Sequence, residues 1–195
     1  MGKIFYIMGK SSSGKDTIFK EILSKEETGL NQIVLYTTRP IRAGETDGVQ
    51  YHFVTEEKLQ ELETAGKVIE LRAYQVVGGV WKYFTVDDEG IDLETDNYLA
   101  IGTLESYQGM INYYGTDKVI PIYIEVSDDN RLERALKRER KQQKPNYNEL
   151  CRRFMADSED FSEENLKKAG ITRRFDNNGE PDICIQEVVD FIKKC

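Results

Sequence analysis

Ile4-Phe5-Tyr6-Ile7-Met8 is an unbroken apolar run closed by Gly9, the pattern of a short strand buried on both faces. After a Gly/Ser segment, Ile18, Phe19, Ile22 and Leu23 recur at helical spacing, with Gly29 closing that helix after a polar turn. Ile33 to Tyr36 reads as a second strand. A charged loop with Pro40, Gly44 and Gly48 then leads to the strand-like Tyr51 to Val54. Thr55 is placed to cap a helix carrying Glu56 and Glu57 in its first turn and Leu59 and Leu62 on its apolar face, ending at Gly66. Val68 to Tyr74 and Lys82 to Val86, around Gly78-Gly79, read as strands of a small mixed sheet. Tyr98 to Thr103 and Val119 to Val126 return to the buried-strand pattern. Ser127-Asp128-Asp129 then caps a helix bearing Leu132, Ala135 and Leu136. A break at Lys144-Pro145-Asn146 precedes a helix with Leu150, Phe154 and Phe161. A short strand, Ile183 to Ile185, and a helix with Val188, Val189 and Ile192 follow. Strands alternating with helices, interrupted by a β-rich segment, predict a parallel sheet covered on both sides.

Composition narrows the class. The 195 residues suffice for one compact unit, and 39% apolar with 32% charged residues excludes both a disordered chain and a polytopic membrane protein. The first residues run directly into an apolar strand with no cleavage-site pattern, so no signal peptide is expected. Cys151, Cys184 and Cys195 lack metal-ligand spacing, and the lone His52 cannot complete a Cys/His site, so a reducing, cytoplasmic setting is expected. A net charge of −8 disfavours a broad nucleic-acid footprint.

Gly9-Lys10-Ser11-Ser12-Ser13-Gly14-Lys15 matches G-x-x-x-x-G-K and lies between the first strand and the first helix, where such a loop must lie to work. Glycines let the backbone curl so that successive N–H groups point inward, and the following helix adds its positive end. The loop therefore predicts a nucleotide polyphosphate site, with Lys15 on the β- and γ-phosphates. The usual Ser or Thr after the lysine, a Mg²⁺ ligand, is replaced by Asp16, with Thr17 next. Either one is placed to meet the metal.

The second chemical stretch is Tyr36-Thr37-Thr38-Arg39-Pro40-Ile41-Arg42-Ala43-Gly44-Glu45-Thr46-Asp47-Gly48-Val49-Gln50-Tyr51-His52-Phe53. Arg39 and Arg42 on one loop can fork onto a phosphate monoester, and a tyrosine hydroxyl can complete the shell. This stretch resembles the guanylate kinases, whose T-T-R-x-x-R-x-G-E-x-x-G-x-x-Y-x-F pattern is filled here at every fixed position. The resemblance implies that Arg39, Arg42 and Tyr51 hold the phosphate of GMP and that Glu70 accepts hydrogen bonds from guanine N1–H and the N2 amino group. It also implies Tyr83 as a second phosphate tyrosine and Thr85 as a base-side hydroxyl, although the family's N-Y-Y-G-T is replaced by Val80-Trp81-Lys82-Tyr83-Phe84-Thr85. Two further departures touch the acceptor. Leu35 stands where the family has a serine, and Leu99 to Glu105 replaces a strand containing D-x-D, with Thr103 and Glu105 the nearby oxygens.

Arg131, Arg134, Lys137, Arg138, Arg140, Lys141 and Lys144 crowd one segment, which by itself reads as a solvated helix face or a nucleic-acid patch. The resemblance instead implies that Arg138 and Arg153 close over ATP and stabilise charge on the transferring phosphoryl group. Asn178, in Phe175-Asp176-Asn177-Asn178, corresponds to a segment beside the adenine. What the resemblance implies overall is a three-layer α/β P-loop kinase fold: a parallel five-stranded core sheet (1–35, 96–133 and 156–195), a mixed-β acceptor-binding insertion (36–95) and a helical lid (134–155). It implies Mg²⁺-dependent transfer of the γ-phosphate of ATP to GMP by a monomer or homodimer, with no nucleic acid or membrane partner. Catalytic roles fall to Lys15, Arg42, Arg138 and Arg153. Two rival readings are a kinase of ribose 1,5-bisphosphate on the same fold and a non-catalytic interaction module of the same family. A regulatory GTPase is disfavoured because no N-K-x-D motif is present.

Overall fold

The computed structural model describes residues 1–76, 79–88 and 90–195. Strand β1, Ile4–Met8, is the centre of a five-stranded sheet, and all five of its residues are buried. Its side chains alternate. Phe5 and Ile7 enter one core with Ile18, Phe19 and Ile22, while Ile4, Tyr6 and Met8 enter a second core with Tyr107 and Met110. A strand with both faces covered cannot show a polar alternation, which is why this run is continuous.

The other strands of that sheet are β2 (Leu30–Gln32), β7 (Asn97–Gly102), β8 (Val119–Glu125) and β9 (Arg174–Asp176), in the order β2-β7-β1-β8-β9. Every pairing is parallel, as expected when helices make the crossovers. Helix α1, Lys15–Ser24, and helix α7, Pro181–Ile192, cover one face; helix α3, Leu104–Tyr114, and helix α6, Glu163–Lys168, cover the other.

A second, four-stranded sheet has the order β4-β3-β6-β5, from β3 (Tyr36–Thr37), β4 (His52–Phe53), β5 (Val68–Val76) and β6 (Gly79–Val86). It is mixed, since β3 pairs parallel with β4 and antiparallel with β6. Leu71, Phe84 and Val86 pack on Leu59 and Leu62 of helix α2, Glu56–Thr64. Thr55 Oγ1 accepts from the Lys58 amide at 3.3 Å, the cap expected from the sequence.

Four expectations change. The run Ile33 to Tyr36 is no single strand. Ile33 donates to the Leu99 carbonyl at the first sheet, whereas the Leu35 carbonyl accepts from His52 at the second, so the chain crosses between sheets within this apolar stretch. Gly29, at φ 59°, ends a separate 3₁₀ turn, Glu26–Thr28, because α1 already stops at Ser24. Ile183 to Ile185 is helical. Pro181 starts α7, and Cys184, Ile185, Val188, Val189 and Ile192 form one helical stripe, a period that the short apolar cluster concealed. The last strand is β9 instead, which the mixed charges of Arg173-Arg174-Phe175-Asp176 hid. Ser127 precedes helix α4, Asp128–Glu139, but makes no side-chain cap bond, because its hydroxyl donates to Asn178 Oδ1 at 2.9 Å. Helix α5, Tyr147–Asp160, begins after Asn146, whose side chain accepts from the Glu149 amide. Of the Gly78-Gly79 turn, Gly78 lies outside the described residues, and Gly79 opens β6.

Candidate active site

The phosphate loop leaves the carboxyl end of β1, where ligands gather in open parallel sheets. Gly9 lets the loop pass under β8, since a Cβ there would lie 2.6 Å from the Ile124 carbonyl oxygen. Gly14 has φ 87° and Ser12 φ 66°, the left-handed conformations that curl the loop. Gly14 is also the N-cap of α1 and supplies no side-chain oxygen, so the helix's first amides are left to whatever lies before them. The buried hydroxyls of Ser12 and Ser13 have no hydrogen-bond partner. Unpartnered buried hydroxyls beside curled amides suit an oxygen-rich anion.

The loop is held from outside by three residues. Asp157 Oδ2 accepts from the Ser11 amide at 2.8 Å, and Arg131 Nε donates to the Ser11 carbonyl at 3.1 Å. Arg131, only 1% exposed, also donates to Asp157 and to Asp128 and lies over the Phe154 ring. Asn177 Nδ2 donates to the Ser13 carbonyl at 2.7 Å. Lys15 Nζ lies 3.4 Å from Asp16 Oδ2, and Lys10 Nζ is 3.5 Å from Asp128. Asp16 and Thr17 are both exposed at the start of α1. Among the described residues, no group of three or more His, Cys, Asp or Glu side chains is arranged to hold a metal. One carboxylate, one hydroxyl and open space before a phosphate cradle match the sparse protein ligation that Mg²⁺ takes when phosphates supply its other oxygens.

The arginine loop is built around one ion pair. Arg39 is buried and forks onto Glu45, with Nη1 to Oε2 at 2.9 Å and Nη2 to Oε1 at 2.8 Å, while Glu45 Oε2 also accepts from the Arg42 amide. This pairing holds the Glu45 carboxyl down at about 2. The Arg39 guanidinium stands 5.4 Å from the Tyr51 ring centroid and 5.3 Å from that of Phe53, and Arg42 lies over Trp81 at 5.6 Å. Tyr83 meets Tyr51 edge-on at 5.6 Å. Burial raises the pKa of the Tyr51 hydroxyl first and the neighbouring Tyr83 adds to it, whereas Arg39 and Arg72 pull it down.

Glu70, Arg72 and Tyr74 alternate along β5 onto one face, directly opposite Thr85, Tyr83 and Trp81 of β6. Glu70 is buried against α3, where a Cβ on Gly109 would lie 2.5 Å from the Glu70 Cβ. Its carboxylate takes Arg72 Nε at 2.9 Å, Arg72 Nη2 at 3.3 Å and the Thr85 hydroxyl at 2.7 Å. Leu35 is buried. Thr103 is occupied in a capping box with Ser106 at the start of α3, and Glu105 is exposed, close enough to Tyr74 to help raise that hydroxyl's pKa after burial.

Arg138 and Arg153 line a cavity of about 440 Å³ between α4 and α5, with Ser11 and Ser12 of the phosphate loop at its other wall. Both arginines are exposed, and Arg153 donates to Glu149 at 2.7 Å. Asn178 is engaged elsewhere. Its Oδ1 accepts from the Ser127 amide, the Ser127 hydroxyl and Asn130, and its Nδ2 donates to Asp176, so its side chain ties β9 to α4.

The guanylate kinase family model matches residues 1–86, which include both the phosphate loop and the arginine loop. The matched stretch is thus similar to guanylate kinases over the first 86 residues. The family resemblance read from the motifs is thereby borne out. The guanylate kinase of Vibrio vulnificus is 35% identical over 100 residues, covering 49% of this chain and 48% of that protein. That of Streptococcus pyogenes is 37% identical over 101 residues, 51% of this chain and 47% of the relative. That of Schizosaccharomyces pombe is 44% identical over 64 residues, 33% and 32% of the respective chains. The matched stretch thus spans about half the length of the bacterial relatives. A guanylate kinase structure from Anaplasma phagocytophilum superposes with a TM-score of 0.70 at 18% identity, covering 99% of this chain and 85% of that one, and establishes the fold well beyond the sequence match.

The sequence alone did not single out Arg131, Asp157 and Asn177, which brace the phosphate loop, or Arg72 and Gly109, which enclose Glu70. Arg131 was submerged in a run of cations, although Asp128 three residues before it was a visible partner. Arg72 stands two residues from Glu70, so strand alternation alone puts it on the same face.

Proposed function

We propose that this chain is an ATP-dependent nucleoside monophosphate kinase that phosphorylates GMP. The reading rests above all on the presence in one chain of a curled, externally braced phosphate loop and an arginine loop of the family pattern.

In this reading the loop amides other than those of Ser11 and Ser13, which bond to Asp157 and to the Lys10 carbonyl, wrap the ATP polyphosphate with the Ser11, Ser12 and Ser13 hydroxyls, Lys10 and the start of α1, and Lys15 bridges its β- and γ-phosphates. Asp16 and Thr17 are the residues that would hold Mg²⁺, which neutralises charge on the phosphates when bound. Arg39 and Arg42, with Tyr51 and Tyr83, hold the acceptor phosphate. Arg39 serves from a fixed orientation because Glu45 and two aromatic rings already fix it, so little conformational entropy is lost on binding. Glu70 and Thr85 lie at the base end. Arg138 and Arg153 face the phosphate loop across a cavity and stabilise charge as the phosphoryl group moves, while Asn178 braces the adenine side. Phosphoryl transfer asks mainly for positioning and charge stabilisation, which this set supplies. Among the described residues, no helix is long and apolar enough to cross a membrane.

Buried Leu35 and the occupied Glu70 carboxylate favour one second reading, a sugar bisphosphate acceptor in place of a nucleotide. A coupled assay offering ATP with GMP, dGMP, AMP, UMP, CMP or ribose 1,5-bisphosphate decides between them. The proposal expects turnover with GMP, abolished by Lys15→Ala. Turnover confined to the sugar phosphate removes the nucleotide assignment, and absence of turnover with every acceptor favours the interaction module.

A further inference from the structure

Guanine presents two donors, N1–H and the N2 amino group, to a carboxylate that must accept both. An ionised carboxylate has about four lone-pair positions, two on each oxygen. Here Arg72 takes one on each oxygen of Glu70, through Nε at 2.9 Å and Nη2 at 3.3 Å, and Thr85 takes the second on Oε1 at 2.7 Å. One position remains, on Oε2.

The arrangement is not easily opened. The Arg72 and Glu70 side chains are 7% and 6% exposed, and Gly109 of α3 packs directly on the Glu70 Cβ. Separating them would leave two buried charges unpaired, a far larger penalty than one new hydrogen bond offsets. Arg72 is itself set in place by cross-strand pairing with Tyr83, which touches both Tyr51 and Tyr74 edge-on. Leu35 adds no polar group nearby.

We infer that Arg72 is a specificity-determining residue that, with Thr85, reduces Glu70 to a single free acceptor, so that the acceptor site takes 6-oxopurine monophosphates without reading the 2-amino group. This inference rests on the proposed nucleotide-acceptor reading of the site. Inosine monophosphate keeps N1–H and O6 and lacks only that amino group. It therefore satisfies the one free lone pair as well as GMP does. A hydrogen bond to a charged acceptor is worth roughly tenfold to a hundredfold in affinity, and that is the discrimination this site forgoes.

Equilibrium binding of GMP and inosine monophosphate to the full chain, with turnover of each measured in parallel, tests this. The wild type is expected to bind the two within about threefold of each other. Arg72→Met, similar in length and uncharged, frees the forked face of Glu70 and raises the GMP preference to about tenfold or more. Thr85→Val frees the second position on Oε1 while leaving the ion pair, and raises the preference in the same direction, so the test survives if Arg72→Met fails to fold. A merely structural Arg72 would change both affinities equally. A wild-type GMP preference above about tenfold, unchanged in both variants, overturns the inference and leaves phosphate transfer to GMP standing. The expected binding ratios without turnover would remove the transfer activity and leave the inference standing, and binding of neither nucleotide overturns both.

Discussion

Replacing Asp157 with alanine tests how the phosphate loop is kept in shape. Asp157 lies in α5, 146 positions from Ser11 in sequence, yet its Oδ2 accepts the Ser11 amide at 2.8 Å and an Arg131 Nη2 at 3.3 Å. The carboxylate is 17% exposed and Arg131 is 1% exposed, so solvent replaces neither partner fully. Loss of a hydrogen bond from a buried amide to a charged acceptor costs about 1.5–3 kcal/mol. Arg131 keeps Asp128 and the Ser11 carbonyl, so its own loss adds only about 1 kcal/mol. The total for Asp157→Ala is about 2.5–4 kcal/mol, which for a chain of this size lowers Tm by roughly 5–16 °C. Asp157→Asn keeps an oxygen for the amide and loses only the charge, so it costs about 1 kcal/mol. Urea unfolding of the three proteins, with ATP and GMP binding measured on each, gives the answer. ATP affinity is expected to fall while GMP affinity stays within about threefold, because only the ATP loop is released. A Asp157→Ala protein within about 0.5 kcal/mol of wild type, or indistinguishable from Asp157→Asn, would refute the bracing role.

Two further predictions concern the acceptor side. Arg39 holds Glu45 at about 2, below the ordinary carboxylate value, so the pair's contribution is fully present above about pH 4.5 and is lost as pH falls toward 2. The stability difference between wild type and Glu45→Gln should therefore be flat above pH 5 and shrink below it. A difference that grows on acidification would contradict this. Gly109→Ala puts a methyl 2.5 Å from the Glu70 Cβ, which should destabilise by about 1–3 kcal/mol and weaken acceptor binding more than ATP binding, read by thermal unfolding and titration. Equal weakening of both would place the effect outside the acceptor end.

Much of this architecture was readable from the chain because the signals were local. The buried run Ile4–Met8, the glycine-bounded loop after it and the helical spacing from Ile18 each reflect one element obeying one periodicity. The errors came where an apolar run served two purposes. Ile33 and Leu35 lie between β2 and β3 and hydrogen-bond to different sheets, a division no periodicity reveals. Helix α3 went unread because its aromatic and polar mixture, Leu104–Tyr114, shows little amphipathic contrast, although the Thr103/Ser106 capping box marks its start. At the site, motif spacing located the two loops proposed to take phosphate. What it could not supply was the state of the side chains, because those states depend on long-range partners. Arg39 and Glu45 are six apart and their pairing was within reach. The Ser11 amide with Asp157 and the Ser13 carbonyl with Asn177 join distant segments and needed the fold.

The central claim is that an ATP site and an acceptor site open onto one cleft at a separation that suits direct transfer. An analogue in which adenosine and guanosine are joined by a chain of five phosphates measures this directly, since it reaches full affinity only by filling both sites at once. By calorimetry one molecule should bind per chain, at least about tenfold tighter than ATP or GMP alone, displacing both nucleotides and losing that advantage in Lys15→Ala and in Arg42→Ala. An analogue that binds no tighter than ATP, or displaces only one of the two nucleotides, would contradict it.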